Sequence, residues 1–218
     1  ETRPPGFRAV VDLLRGWMVF RDDPAHDVLR DPVRKAFTPR RIEDMAPVIE
    51  RTADALLDAM DGAGQVDLRA AFSVPLPALV IAELLSIPAG DREEFQHWSD
   101  LLSAVVFAAD AKSVSADHAI AGAEHFWRYF GDLVAHRRRH PGDDLLSELA
   151  GAIDSDEVVG ACTLLLFAGH ETTTGLLTNG TRVLLDTPSE LDRLRADASL
   201  WSSAVDELLR LEGPAKLM

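Results

Sequence analysis

One cysteine, Cys162, and one tyrosine are all that the 218 residues hold of those types, and aromatic residues make up only 6%. A lone cysteine excludes an intramolecular disulfide and any four-cysteine metal site, and it suits a reducing compartment such as the cytoplasm. Cationic charge is scarce as well: 22 Lys and Arg against 36 Asp and Glu leave a net charge of −14. That balance argues against nucleic acid and anionic membranes as partners, because clustered cations are needed to neutralise either polyanion. A long hydrophobic run is also missing. The most apolar window, Val158 to Leu185, is interrupted by His170, Glu171, Asn179, Arg182 and several threonines. It therefore fails as a bilayer span of about 20 predominantly apolar residues and reads as a buried helix. The chain opens at Glu1 with Arg3, Pro4 and Pro5 rather than with an apolar signal segment, and is expected to be a segment cut from a longer protein. No internal repeat or low-complexity tract appears.

What is present is helical periodicity. With 47% apolar and 27% charged residues, the chain can bury a core as one domain, and apolar positions recur every three or four residues between proline and glycine breaks. The expected fold class is mainly α, a helical bundle around a long central helix. A short helix is expected over Pro24 to Phe37, followed by Thr38 as N-cap and Pro39 in the first turn of the next. Ile42, Met45, Ile49, Ala53, Leu56 and Met60 form that helix's expected buried stripe, and Gly62 and Gly64 stop it. Gln65 to Leu68 is a candidate extended piece, and Pro75 to Ile87 a helix apolar almost all round. Asp91 to Val106 and Ser115 to Arg139 read as two surface helices joined by an Ala- and Ser-rich mobile loop. The second carries Phe126, Trp127 and Phe130 and ends in Arg137-Arg138-Arg139, which suits the negative end of a helix dipole. Asp154 with Glu157 forms a capping box for a helix running to about Leu185, roughly 45 Å at 1.5 Å per residue. Thr187-Pro188-Ser189-Glu190 reads as a second box, and Ala198 to Leu211 as the last helix before Gly213-Pro214.

Chemistry concentrates in the long helix, at Phe167-Ala168-Gly169-His170-Glu171-Thr172-Thr173-Thr174. A mid-helix glycine costs about 1 kcal/mol relative to alanine, and three consecutive β-branched threonines lower helix propensity further. Ala168 and Gly169 leave room for a flat ligand against the backbone or, equally, for a close helix crossing. The Thr172 hydroxyl can bond the Ala168 carbonyl one turn back and open the helix there. Glu171 is a titratable group beside that turn or a solvent-facing carboxylate.

Two further fragments carry charge at helical spacing. His26 and Arg30, at i and i+4, share one helical face and could clamp a dianion or simply form a polar surface. Pro32 just beyond them removes a backbone donor and crowds the preceding turn. Glu207 and Arg210, at i and i+3, have the spacing of an ordinary surface ion pair.

Taken in order, these fragments resemble the cytochrome P450 family. Ala168 to Thr173 matches its Ala/Gly-Gly-x-Glu/Asp-Thr-Thr signature, with His170 at the variable position. His26 and Arg30 match its His-x-x-x-Arg helix, followed by Lys35-Ala36-Phe37-Thr38-Pro39, and Glu207 to Arg210 matches its Glu-x-x-Arg. The resemblance implies a partial cytochrome P450 fold, residues 1–218 being the central helical segment of one such domain. It implies heme b as cofactor and a monooxygenase reaction that inserts one oxygen atom from O2 into a small organic substrate. Glu171 and Thr172 would be catalytic, Thr172 hydrogen-bonding dioxygen over the heme and Glu171 relaying protons. His26 and Arg30 would hold the heme propionates, Ala168 and Gly169 would border the ring, and Leu164 and Phe167 would line the substrate pocket or pack in the core. Glu207 and Arg210 would be structural. No protein ligand to the iron is expected here. Cys162 lies ten positions before Thr172 on the same helix, about 15 Å away, and reads as a small buried apolar residue, so the family's thiolate loop is expected beyond residue 218. The 218 residues alone would then be inactive, because the thiolate supplies the electron push for O–O cleavage. Arg34, Lys35, Arg40 and Arg41 would receive an acidic ferredoxin-type electron donor. The alternatives are a non-catalytic helical module that binds a hydrophobic ligand or a partner protein, and a stranded fragment prone to aggregate.

Overall fold

The computed structural model describes residues 7–92, 94, 98, 106 and 116–214, and among them helices form without any strand. In chain order the α-helices are α1 (Phe7–Arg15), α2 (Ala25–Ala36), α3 (Pro39–Met60), α4 (Pro75–Leu84), α5 (Ala116–Arg139), α6 (Leu145–Ala152), α7 (Ser155–Asp186), α8 (Pro188–Ala196) and α9 (Trp201–Glu212). The mainly α expectation holds. None of these helices is long and apolar enough to cross a membrane.

The long helix α7 organises the rest, packing against α1, α2, α4, α5, α6, α8 and α9. Its 32 residues reach about 48 Å at 1.5 Å per residue. Its start follows from local chemistry: Glu157 Oε2 accepts from the Asp154 backbone N–H at 3.1 Å, the reciprocal half of the expected capping box. Close crossing with the chain after α1 depends on Gly160. A Cβ there would lie 2.5 Å from the Gly16 carbonyl oxygen. Beside that contact the fully buried Trp17 donates from Nε1 to Thr163 Oγ1 at 2.9 Å, so the segment after α1 is joined to α7 by both packing and a buried hydrogen bond.

Several expectations are corrected. The helix Ser115 to Arg139, read as a surface helix, is a core element: Ala119, Ala123, Phe126, Phe130 and Val134 are all buried at helical spacing. Its arginines do more than meet their own dipole. Arg137 pairs with Asp144 at 2.8 Å, and Arg138 bonds the carbonyls of Ala150 and Ile153 at the end of α6, at 3.0 and 2.8 Å. On α3 the expected stripe is half-buried at Met45, Ala53, Leu56 and Met60, joined by Val48 and Thr52, but Ile42 and Ile49 are exposed. Thr38 does cap this helix, accepting from the Arg41 N–H at 3.2 Å. Gln65 to Leu68 forms no strand. Asp67 Oδ1 accepts from the Ala70 N–H at 3.1 Å and its carbonyl from the Ala71 N–H at 2.9 Å, which winds the chain into a π-helical turn, Arg69–Ser73.

The apolar helix expected to reach Ile87 ends at Leu84. Ser86 adopts φ 53°, its N–H bonds the Glu83 carbonyl and the Ile87 N–H bonds the Ala82 carbonyl, a Schellman termination with serine at the left-handed position. The second capping box does not form, because Thr187 Oγ1 donates back to the Val183 carbonyl at 2.6 Å. The last helix begins at Trp201, after a 3-10 turn over Ala198–Leu200 capped by Asp197. Of the expected helix from Asp91 to Val106, only Asp91, Arg92, Glu94, Trp98 and Val106 are described. The last four are helical and Asp91 closes a 3-10 turn, while the remainder and the Ala- and Ser-rich stretch lie outside the described residues.

Candidate functional site

The turn Ala168–Thr174 lies in the middle of α7 and has two opposed faces. At roughly 100° per residue, Ala168 and Thr172 share one side and His170 and Thr174 the other. Ala168, Thr172 and Thr173 are exposed and Glu171 is half-buried, whereas His170 is 1% and Thr174 2% exposed. Thr172 Oγ1 donates to the Ala168 carbonyl at 2.6 Å, the bond its spacing predicts. The expected opening of the helix does not follow, since α7 remains α-helical through the turn.

The buried side is tied to α4. Pro77 has no N–H to offer the Ser73 carbonyl one turn back, and Thr174 Oγ1 donates to that carbonyl instead, at 3.0 Å. His170 Nε2 lies 3.1 Å from the Val74 carbonyl oxygen. A carbonyl only accepts, so Nε2 carries the proton. A Cβ on Gly169 would sit 2.7 Å from Ile81 Cδ1. The room expected beside Gly169 for a flat ligand is thus filled by Ile81 of α4, and the open side of the turn begins at Ala168.

Leu164 is 6% exposed and belongs to the main core, so of its two readings core packing is the one observed among the described residues. Phe167 is half-buried, its ring centroid 5.0 Å from that of Trp17. Trp17 was not singled out from sequence. Nothing in its local sequence separates it from the exposed Val19 and Phe20 that follow. Cys162 is fully buried and burial pushes its thiol above the ordinary value.

His26 and Arg30 lie on α2, which packs on α6 and touches α7. The helix continues through Pro32 to Ala36. His26 Nδ1 stands 3.6 Å from Asp23 and 3.5 Å from Asp27 carboxylate oxygens, while Arg30 is exposed without an ion pair among the described residues. Of the basic group read from sequence, Arg41 is half-buried and bound to Glu148 at 2.6 Å, while Arg34, paired with Asp31 at 3.1 Å, Lys35 and Arg40 are exposed. Glu207 and Arg210 form a two-pronged pair at 2.7 and 2.5 Å, which holds the glutamate below its ordinary carboxylate range and raises the guanidinium.

A heme requires a flat border of small residues, cations for its carboxylates and an axial ligand. The exposed Ala168–Thr172 face and the uncommitted Arg30 fit the first two requirements. Cys162, sealed in the core with its thiol stabilised as the neutral form, does not fit the third, and the 218 residues hold no other thiol.

No family model matches the chain. It is 38% identical over 206 residues to cytochrome P450 CYP107DY1 of Priestia megaterium, across 92% of this chain and 49% of that protein. It is 40% identical over 209 residues to the cytochrome P450 monooxygenase PikC of Streptomyces venezuelae, across 91% and 48%. Among solved structures, P450BioI in complex with hexadec-9Z-enoic acid ligated acyl carrier protein aligns with a TM-score of 0.86 at 32% identity, covering 94% of this chain and 54% of that one. The chain spans about half the length of the curated relatives it matches. Helical architecture, motif order and these likenesses define a partial cytochrome P450 fold. The chain belongs to the cytochrome P450 family.

Proposed function

We propose that the protein functions as a heme-dependent monooxygenase of the cytoplasm, inserting one oxygen atom from O2 into a small organic substrate, with residues 1–218 as the central helical segment of one domain. The observation that carries this reading is the exposed Ala168–Thr172 face in mid-helix, bordered by the half-buried Glu171. Heme b, when bound, would supply the iron at which dioxygen is reduced with two electrons. Arg30, with His26 beside it, would hold the propionates, and Ala168 would leave space for the ring. The thiolate that this chemistry needs would not be Cys162, which is sealed in the core.

Thr172 would hydrogen-bond dioxygen on the open face; with its own proton directed at the Ala168 carbonyl, it would do so as the acceptor from a protonated partner. Glu171 would hold and pass protons between solvent and the same face. Phe167 would contact substrate at the edge of that face, Gly169 would keep α4 close behind it, and the Glu207–Arg210 pair would be structural. Lys35 and Arg40 would meet a ferredoxin-type electron donor.

The test is the ferrous CO spectrum of the full-length protein loaded with heme. A thiolate-type Soret band is expected, and its absence refutes the reading. Arg30→Ala should lower heme retention with the helical circular dichroism unchanged. Charge reversal at Lys35 and Arg40 should slow reduction by the partner.

A further inference from the structure

The face of α7 away from Thr172 is held by hydrogen bonds whose purpose packing alone does not explain. His170 and Thr174 are buried polar side chains one turn apart, and each bonds a main-chain carbonyl of the segment leading into α4: His170 Nε2 to Val74 at 3.1 Å, Thr174 Oγ1 to Ser73 at 3.0 Å. A leucine and a valine at those positions would bury apolar area without any need for partners. Instead two polar groups meet two carbonyls, at a junction where Pro75 and Pro77 have removed donors. One residue before His170, Gly169 receives Ile81 of α4. Three contacts in register therefore fix both the height and the rotation of this turn relative to α4.

Rotation matters because of where the opposite face points. His170 and Thr172 are two residues apart, roughly 200° around the helix, so a turn of the helix that loosens the first swings the second by the same angle. From these contacts we infer that His170 and Thr174 are positioning residues: a rear clamp that sets the aim of Thr172 and Glu171 toward the open face. The variable place of the family signature is thus occupied here by a residue with a defined hydrogen-bonding duty. The inference deepens the monooxygenase reading and rests on it.

Thr174→Val removes one hydroxyl from an isosteric side chain, and Thr174→Ser retains the donor. His170→Leu removes the ring donor, and His170→Gln keeps an N–H able to reach a carbonyl. The measurement is product formed per electron pair against hydrogen peroxide released, in the full-length heme-loaded protein. Since misplacement of a reacting group by about 1 Å can cost about 10²-fold in rate, the two donor-less variants should lose between about threefold and a hundredfold in product per electron pair. Their CO band and substrate affinity should stay at the parent values. Thr174→Ser and His170→Gln should recover most of the coupling. A merely structural role would lower stability in all four variants without moving the product-to-peroxide ratio. If Thr174→Val couples like the parent, the clamp is refuted, whether or not His170→Leu folds. A parent protein without the thiolate band would instead defeat the monooxygenase reading itself.

Discussion

Adding one methyl group at two helical glycines should move stability in opposite directions, and the structure sets the size of each effect. Gly131 lies inside α5 with no atom within 4 Å of the place its Cβ would occupy. Gly131→Ala should therefore show the helix-interior gain alone, about 0.5–1 kcal/mol, which arises largely from restricting the unfolded chain. Gly160 enjoys the same propensity gain but meets backbone. Its Cβ would fall 2.5 Å from the Gly16 oxygen and 2.6 Å from both its carbonyl carbon and Cα. No side chain can swing aside, so the segment after α1 must retreat by about 1 Å to reach ordinary contact of about 3.5 Å. Overpacking of this kind costs about 1–3 kcal/mol, and the retreat also stretches the bond from Trp17 Nε1 to Thr163, worth about 1 kcal/mol. Against the propensity gain, a net loss of about 2 kcal/mol remains. The two variants should thus differ by about 3 kcal/mol, or about 1 M in urea midpoint for a slope near 3 kcal/mol/M. Circular dichroism at increasing urea measures it. Midpoints that coincide, or a Gly160→Ala protein more stable than the parent, would refute the crossing geometry.

Three other outcomes are expected. Thr163→Val leaves the indole N–H of Trp17 buried without an acceptor and should cost about 1–3 kcal/mol in the same urea assay, whereas Thr163→Ser should cost less. Glu148→Gln removes the pair with Arg41, whose side chains are 47% and 22% exposed. It should cost only about 0.2–1 kcal/mol, and the difference from the parent should shrink in 1 M salt. His125, packed on Trp98 with ring centroids 3.7 Å apart, has its pKa lowered from 6.5 by burial first and then by Arg128, with Glu94 opposing. The unfolded chain then binds the proton more readily, so His125 leaves stability untouched above pH 6.5 and reduces it as pH falls below that value toward the depressed folded one. Melting temperatures across this window should fall less steeply in His125→Phe, and identical slopes would refute the assignment.

Local chemistry was legible in the sequence and long-range choice was not. Thr38 and the Asp154–Glu157 box are satisfied within a single turn, so spacing alone finds them. Thr187 shows the limit of that logic. Its hydroxyl had a carbonyl four residues back as well as the N–H groups ahead, and took the former. On α3 the apolar positions cover a wide arc, and which half turns inward depends on where α4 lies, so Ile42 and Ile49 ended outside. The partners of His170 and Thr174 are 96 and 101 residues away. Without the fold, those two residues could be read only as a variable motif position and a third threonine.

The glycines of α7 alter what the motif itself means. A mid-helix Gly169 amid threonines suggests stability sacrificed for a ligand, yet the atom that fills its missing Cβ space belongs to Ile81. The same holds along the helix: Gly160 faces Gly16, Gly175 faces Pro214 and Gly180 faces Leu208, with would-be Cβ distances of 2.5, 3.0 and 3.2 Å. Each glycine is therefore used by a neighbouring element, and together they let one helix be approached closely from several sides. The side still open in mid-helix is that of Ala168 and Thr172, where the residues are not glycines at all. A ligand space argued from Gly169 would have pointed at α4. Drawn from exposure, it points about 100° away, at the alanine and at the hydroxyl one turn on. Enlarging Ala168 should consequently disturb a heme bound at that face while leaving the contacts of α7 with α4 intact. Gly169→Ala should instead strain the contact with Ile81, and shortening Ile81 to alanine in the same chain should relieve that strain. If Gly169→Ala impairs heme binding and Ile81→Ala fails to restore it, the division of the turn into a packing side and a ligand side is wrong.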